Sequence, residues 1–163
     1  LPDGKIWKES IDKELNGLYE QKKSFVPLTQ NDLGKYPSKI LQSSFVFKRK
    51  LDKDGNVKSY KSRLVIGGNR QMIGDGTFDE TFAPTASLTT QRLCFTLACN
   101  LGLKPKQLDV EQAFLNAELD DKTIIVKLPH GVEIDGCTHV RLLKAVYGLK
   151  QSPNLWTNSA LTQ

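Results

Sequence analysis

Three cysteines in 163 residues are too few, and too awkwardly spaced, for most of what cysteine does in proteins. Cys94 and Cys99 stand five apart, which turns them to different sides of a helix, and Cys137 is remote from both. There is no C-x-x-C, and histidine occurs only at His130 and His139. These absences exclude a zinc ribbon or finger and a disulfide framework. Buried, reduced thiols in an intracellular protein are the expectation. Glycine is present but not in a phosphate-cradling order. Gly67, Gly68, Gly74 and Gly76 mark a flexible connection, with neither G-x-G-x-x-G nor Gly-Lys-Ser/Thr. No apolar run approaches the roughly 20 residues that span a bilayer, so no membrane role is expected. No basic stretch leads into an apolar one as a secretory leader would. Internal repeats, low-complexity segments and linkers are also missing.

What remains is an ordinary globular composition, 39% hydrophobic and 25% charged, long enough for one domain with a real core. The chain opens on Leu1 rather than Met, and apolar residues still recur at Gln163. A segment of a longer protein is therefore expected. The net charge of +5 is concentrated. Lys48, Arg49, Lys50, Lys53, Lys58, Lys61 and Arg63 face only Asp52 and Asp54 in the same window, which accounts for the whole excess. A patch of this kind attracts a phosphate backbone or a triphosphate. From charge alone, a solvated hairpin is the better explanation.

Trp7, Ile11, Leu15 and Leu18 recur at helical spacing, with Asp3 in position to cap. Pro27 and the stretch 31–39, containing Gly34 and Pro37, read as loop. Phe45, Val46 and Phe47 open a strand, Asp54-Gly55 turns it, and Val57 to Ile66 returns, so the basic window is a β-hairpin. Thr89 to Leu101 reads as a helix with Leu93, Leu97 and Leu101 on one face, ended by Gly102. A short strand over Gln107–Val110, a short helix through Ala113–Asn116, strands near Thr123–Lys127 and His139–Leu142, and a helix after Pro153 complete the pattern. The order is not βαβ, which points to an α+β fold.

Leu108-Asp109-Val110-Glu111-Gln112-Ala113-Phe114-Leu115 is the segment with the most chemistry in it. A carboxylate between two apolar residues at a strand end can hold Mg²⁺, a hard ion that takes oxygen ligands. Asp109 followed by Gln112 three residues later is also a capping box for the next helix, the reading these residues favour when taken alone.

The order of the short motifs is more specific than any one of them. Phe45-Val46-Phe47-Lys48 leads into the hairpin, and Lys61-Ser62-Arg63-Leu64-Val65 forms its second arm. Phe78-Asp79-Glu80-Thr81-Phe82-Ala83-Pro84 follows, then Gln107-Leu108-Asp109-Val110 with Ala113-Phe114-Leu115-Asn116. Lys144-Ala145-Val146-Tyr147-Gly148-Leu149-Lys150-Gln151-Ser152-Pro153 comes last, with Trp156 beyond. From Trp7 to Trp156 this succession resembles the reverse transcriptase of copia-type LTR retrotransposons, part of their Pol polyprotein.

The resemblance implies a truncated right-hand polymerase, a single partial domain over 1–163. Its fingers would run to about residue 90 and contain the basic hairpin at 44–66. The first part of the palm would cover about 91–163. Asp109 would match the first of three metal-binding aspartates, with the Val110 carbonyl beside it, in a site for two Mg²⁺ ions. Lys61 and Arg63 would meet the incoming deoxynucleoside triphosphate, Arg bidentately and Lys as a point charge. Phe114 would gate the ribose 2′-OH, and Tyr147 and Gly148 would line the floor under nucleotide and template. Phe82 and Pro84 would serve packing. The implied partners are an RNA or DNA primer–template and the remainder of the polyprotein. The implied location is the cytoplasm, in virus-like particles, or the nucleus.

The family's Tyr-x-Asp-Asp motif is absent. Asp120-Asp121 follows Glu118-Leu119 too soon after Asp109 to replace it. The chain by itself is therefore expected to be inactive, with a sheet edge and apolar surface exposed. Gly67, Ala117 and Asn154 stand where the family usually has Lys, Gly and Arg. The alternative to an enzyme part is a non-catalytic nucleic-acid-binding remnant or domesticated domain. A generic α+β interaction module is the third reading.

Overall fold

The computed structural model describes residues 3–36, 39–72, 74–119 and 123–161. Pro37 and the Asp120-Asp121 pair lie outside them. The first helix, α1 (Gly4–Asn16), forms where the apolar recurrence predicts it and continues into one π turn, Gly17–Gln21, that buries Leu18. Asp3 holds the N-cap position without making a capping bond. Its carboxylate is drawn instead to Arg49, 3.1 Å away.

Strand β1 (Phe25–Leu28) contains Pro27, which the sequence placed in a loop. β1 lies at the sheet edge, where a residue without an N–H is tolerated. A single helical turn, α2 (Gln30–Leu33), follows where loop was also expected. Asp32 organises it by accepting from Thr29 Oγ1 at 2.6 Å and Lys35 Nζ at 2.7 Å.

Strands β2 (Ile40–Leu51) and β3 (Val57–Ile66) form the predicted hairpin, β2 starting five residues before Phe45. In the turn, Asp52 Oδ1 accepts from the backbone N–H of Asp54 and Asn56, each at 2.9 Å. Helix α3 spans Leu88–Asn100, β4 Ile125–Lys127, β5 His139–Leu142 and α4 Ser152–Leu161.

The five strands make one mixed sheet, ordered β1-β5-β4-β2-β3. β2 serves two partners. Its first three residues run parallel to β4, Ile40 opposite Ile125, and the rest runs antiparallel to β3 from Ser43 opposite Ile66. The other pairings are antiparallel. Leu18, Leu41, Leu64, Leu115, Val126 and Val146 are fully or almost fully buried in one core cluster. Each such side chain contributes roughly 1.5–3 kcal/mol.

Helix α3 stands apart from that core. Ser87 caps it, Oγ accepting from Thr90 N at 3.1 Å, so local signals suffice to form it. None of its residues is buried, and Leu93, Leu97 and Leu101 face solvent. Cys94 and Cys99 are exposed with them, which corrects the expectation of buried thiols. Phe82 (72% exposed) and Pro84 do not pack either, because the chain leading to α3 makes no layer with the sheet.

Candidate functional site

The alternation of β3 separates two kinds of residue. Ser62, Leu64 and Ile66 are buried, and Lys61 and Arg63 are exposed. Register adds two cations to which the motif comparison assigned no role. Lys48 lies directly opposite Lys61, and Lys50 opposite Ser59, so Lys48, Lys50, Lys61 and Arg63 share one face of the hairpin. Like charges facing each other across a ladder are destabilising, and a bound anion removes that penalty. The ion pairs among the described residues, Lys35–Asp32, Lys39–Asp75 and Arg49–Asp3, use none of these four.

At the end of β3 the chain meets the Tyr147-Gly148 turn. Ile66 N–H donates to the Tyr147 carbonyl at 2.8 Å, and Gly67 N–H to the Gln42 carbonyl at 2.7 Å. The approach is very close. A Cβ on Gly68 would stand 2.0 Å from the Gly148 carbonyl oxygen. The 67–68 dipeptide is thus a packed joint followed by a 3-10 turn, Gly68–Arg70, and not the flexible connection its glycines suggested.

Three segments converge here. The Arg63 guanidinium lies over the Tyr147 ring, 5.3 Å from its centroid. Phe114 meets the same ring edge-on at 5.4 Å and 61°. Phe114 sits on the 3-10 turn Ala113–Asn116, which is anchored by fully buried Leu115, by Lys22 Nζ donating to Asn116 Oδ1 at 3.1 Å, and by packing on α4.

Beneath the turn lies an amide network invisible in the sequence. Gln71 Oε1 accepts from Lys150 N–H at 3.0 Å, and its Nε2 donates to Gln151 Oε1 at 3.1 Å. Gln151 Nε2 donates to the Thr77 carbonyl at 2.8 Å, and Lys150 Nζ to the Gln71 carbonyl at 2.8 Å. Gln71 and Gln151 are both buried, and this satisfaction of buried amides pins the turn. Their partners are some 80 residues away in sequence, so no local signal could reveal them.

The far edge of β3 is held from α1. Ser10 Oγ donates to the Tyr60 carbonyl at 3.3 Å and accepts from Ser62 N–H at 2.9 Å. One turn later Glu14 Oε1 accepts from Leu64 N–H at 3.2 Å. Burial pushes the Glu14 carboxyl above the ordinary carboxylate range, opposed by the Leu64 N–H and by the charges of Lys61 and Arg63. Trp7 packs edge-on against Phe47 and Tyr60 and completes the contact.

The structure therefore brings Arg63, Phe114, Tyr147 and Gly148 together, with Lys61 two residues along the same face. Asp109 and Val110 are exposed. The strand expected over Gln107–Val110 is not formed; the segment is exposed and irregular, with Leu108 89% accessible, because it has no ladder partner in the sheet. The capping-box reading of Asp109 also falls. The N-cap of the 3-10 turn is Gln112, left-handed at φ +49 and without a side-chain bond. Among the described residues there is no group of three or more His, Cys, Asp or Glu side chains that could hold a metal ion. Asp109 and the Val110 carbonyl would by themselves supply only part of a two-ion site. No helix of the described residues is long and apolar enough to cross a membrane.

Residues 30–163 match the family model described as reverse transcriptase (RNA-dependent DNA polymerase). The retrovirus-related Pol polyprotein from transposon TNT 1-94 of Nicotiana tabacum is 38% identical over 150 residues, 91% of this chain and 11% of that protein. The corresponding polyprotein from transposon RE2 of Arabidopsis thaliana is 37% identical over 72% of the chain and 8% of its own length. The transposon Ty1-BL Gag-Pol polyprotein of Saccharomyces cerevisiae is 30% identical over 91% of the chain and 8% of its own length. The chain thus spans about a tenth of the curated relatives it matches. No solved structure matches it significantly. With a family match over most of its length and relatives among plant transposon polyproteins, the chain belongs to the reverse transcriptase family, as a domain of mixed α and β content built on a single sheet.

Proposed function

We propose that this chain is the nucleotide-facing part of an RNA-directed DNA polymerase within a transposon Pol polyprotein. Residues up to about 90 are fingers, and about 91–163 are the first part of the palm. The observation that carries this is the convergence of Arg63, Tyr147 and Phe114 at the end of a face bearing Lys48, Lys50 and Lys61. Cations beside a ring floor suit a nucleoside triphosphate. Arg63 and Lys61 grip its phosphates, Tyr147 and Gly148 lie beneath base and template, and Phe114 stands against the sugar.

The reaction is attack of a primer 3′-oxygen on the α-phosphorus with departure of pyrophosphate. It asks mainly for positioning and charge neutralisation. Divalent ions supply part of that neutralisation when bound. Asp109 and the Val110 carbonyl are the groups of this chain we assign to them. One carboxylate does not hold two ions, so the chain alone is inactive in this reading. Its partners are a primer–template, deoxynucleoside triphosphates and the remainder of the polyprotein, in cytoplasmic virus-like particles or the nucleus.

The test is incorporation of deoxynucleotides on a primed RNA template by the longer polyprotein carrying this segment. Asp109→Asn is expected to lower incorporation by on the order of 10³-fold or more. Incorporation indifferent to Asp109→Asn refutes the assignment. The four-cation hairpin face favours a second reading, non-catalytic binding of a nucleic-acid backbone. Salt-dependent binding without incorporation is its mark.

A further inference from the structure

α1 does for β3 what a neighbouring strand would do. Ser10 and Glu14 are one turn apart and reach alternate residues of the strand, Tyr60, Ser62 and Leu64, whose outward backbone groups no ladder satisfies. The intervening residues are Lys61 and Arg63, the cations assigned to phosphate. Ser10 is neutral. Glu14 brings a half-buried carboxylate to the back of a strand whose front collects cations, and it joins none of the ion pairs among the described residues. A neutral acceptor would satisfy the Leu64 N–H equally well, so the charge needs its own account.

We infer that Glu14 is a positioning residue of the anion site: its carboxylate fixes the edge of β3 and tempers the field of Lys61 and Arg63, so that a triphosphate binds there more weakly, and with a dependence on pH, than it would without that charge. The inference rests on the proposed triphosphate role of Lys61 and Arg63. On α1's packing partner β3, those two cations are the charged groups acting on Glu14. Burial raises its pKa, so the carboxylate is neutralised at a less acid pH than an exposed glutamate. As pH falls, the restraint is removed.

The probe is inorganic triphosphate, titrated into the full chain by calorimetry at low salt. Glu14→Gln keeps an acceptor oxygen for Leu64 N–H and removes the charge. It is expected to bind about threefold to fivefold more tightly than the parent at pH 7, equivalent to about 0.7–0.9 kcal/mol. The ratio should fall toward one as the pH is lowered into the carboxylate range, since the parent then loses the same charge, and sooner than an exposed glutamate would. Ser10→Ala loses an edge bond but no charge. It should lower the midpoint of thermal unfolding and leave affinity within about twofold. Equal affinity of Glu14→Gln and parent at pH 7, or an equal shift from Ser10→Ala, overturns the role of Glu14. Arg63→Ala separates this from failure of the underlying reading. Binding that Arg63→Ala weakens but Glu14→Gln does not change sinks only the inference, whereas binding that is absent, or indifferent to Arg63→Ala, sinks both.

Discussion

Gly148 is the residue on which the site's geometry depends most directly, and replacing it by alanine tests the joint. Its φ is +96, a backbone region that costs an L-residue about 1–2 kcal/mol. The added Cβ would stand 2.1 Å from the Ile66 carbonyl oxygen and 2.7 Å from Val65 Cγ1. The first of these is backbone in the last residue of β3 and cannot rotate away. Overpacking of that kind costs about 1–3 kcal/mol. Retreat of the turn also loosens the Ile66 N–H bond to Tyr147, worth about 1 kcal/mol. Together the expected loss is about 3–6 kcal/mol, a large share of a domain's stability. Gly55→Ala provides the internal comparison. Gly55 has φ +84 in the hairpin turn but open space around its Cβ position, so only the strain of about 1–2 kcal/mol applies. Urea unfolding followed by tryptophan fluorescence measures both. A Gly148→Ala loss no larger than that of Gly55→Ala refutes the close-approach argument, and with it the claim that this joint fixes Tyr147 under Arg63.

Two further outcomes follow from other parts of the molecule. The Asp75 carboxyl is held down to about 2 by the Thr77 hydroxyl first, then by the Met72 and Thr77 N–H groups, with Lys39 3.7 Å away. A depressed carboxylate contributes stability that is present above its unfolded value near 3.8 and lost as pH falls toward 2, so Asp75→Asn should flatten the acid side of the stability profile in that window. Because Cys94 and Cys99 are exposed on α3 and Cys137 is partly covered, the folded chain should label rapidly at two thiols and more slowly at the third; slow labelling at Cys94 and Cys99 would mean that α3 is packed.

The parts legible in the sequence are those that local forces decide. The hairpin needs only alternation and a turn, and Asp52 with Asp54-Gly55 supplies the turn chemistry within five residues. α1 follows from apolar spacing, and α3 from spacing and the glycine, Gly102, that ends it. Pro27 misleads because its breaker character is real in a central strand and harmless at the edge where β1 lies. The strand expected at Gln107–Val110 misleads for the opposite reason: its pattern is right, but a strand exists only against a partner. The same limit governs the site. Motif order picks out Arg63, Phe114, Tyr147 and Gly148, yet assigns no role to Lys48, whose place on the cationic face comes from register. It gives no role to Gln151, which it contains, and does not reach Ser10, Glu14 or Gln71; the bonds of all four close over 50 to 80 residues.

The division between what is assembled and what is not has a physical cause with a measurable consequence. The cluster of Arg63, Phe114 and Tyr147 is built on the sheet, on Leu115 of the main core and on the buried Gln71–Gln151 network. The segment from Leu88 to Val110 has its own helix and no core. Leu93, Phe95, Leu97, Leu101 and Leu108 are exposed along it, and Asp109 rides at its end. Packing of that segment is what would order Asp109, and nothing in the cluster requires it. Binding and chemistry should therefore separate. Asp109→Asn should leave the affinity of this chain for inorganic triphosphate within about twofold, because the charge is exposed and so strongly screened. The same substitution in the longer polyprotein should abolish incorporation. If Asp109→Asn alters triphosphate affinity as much as Arg63→Ala does, the carboxylate already sits beside the cations, and the separation argued from the exposed segment is wrong.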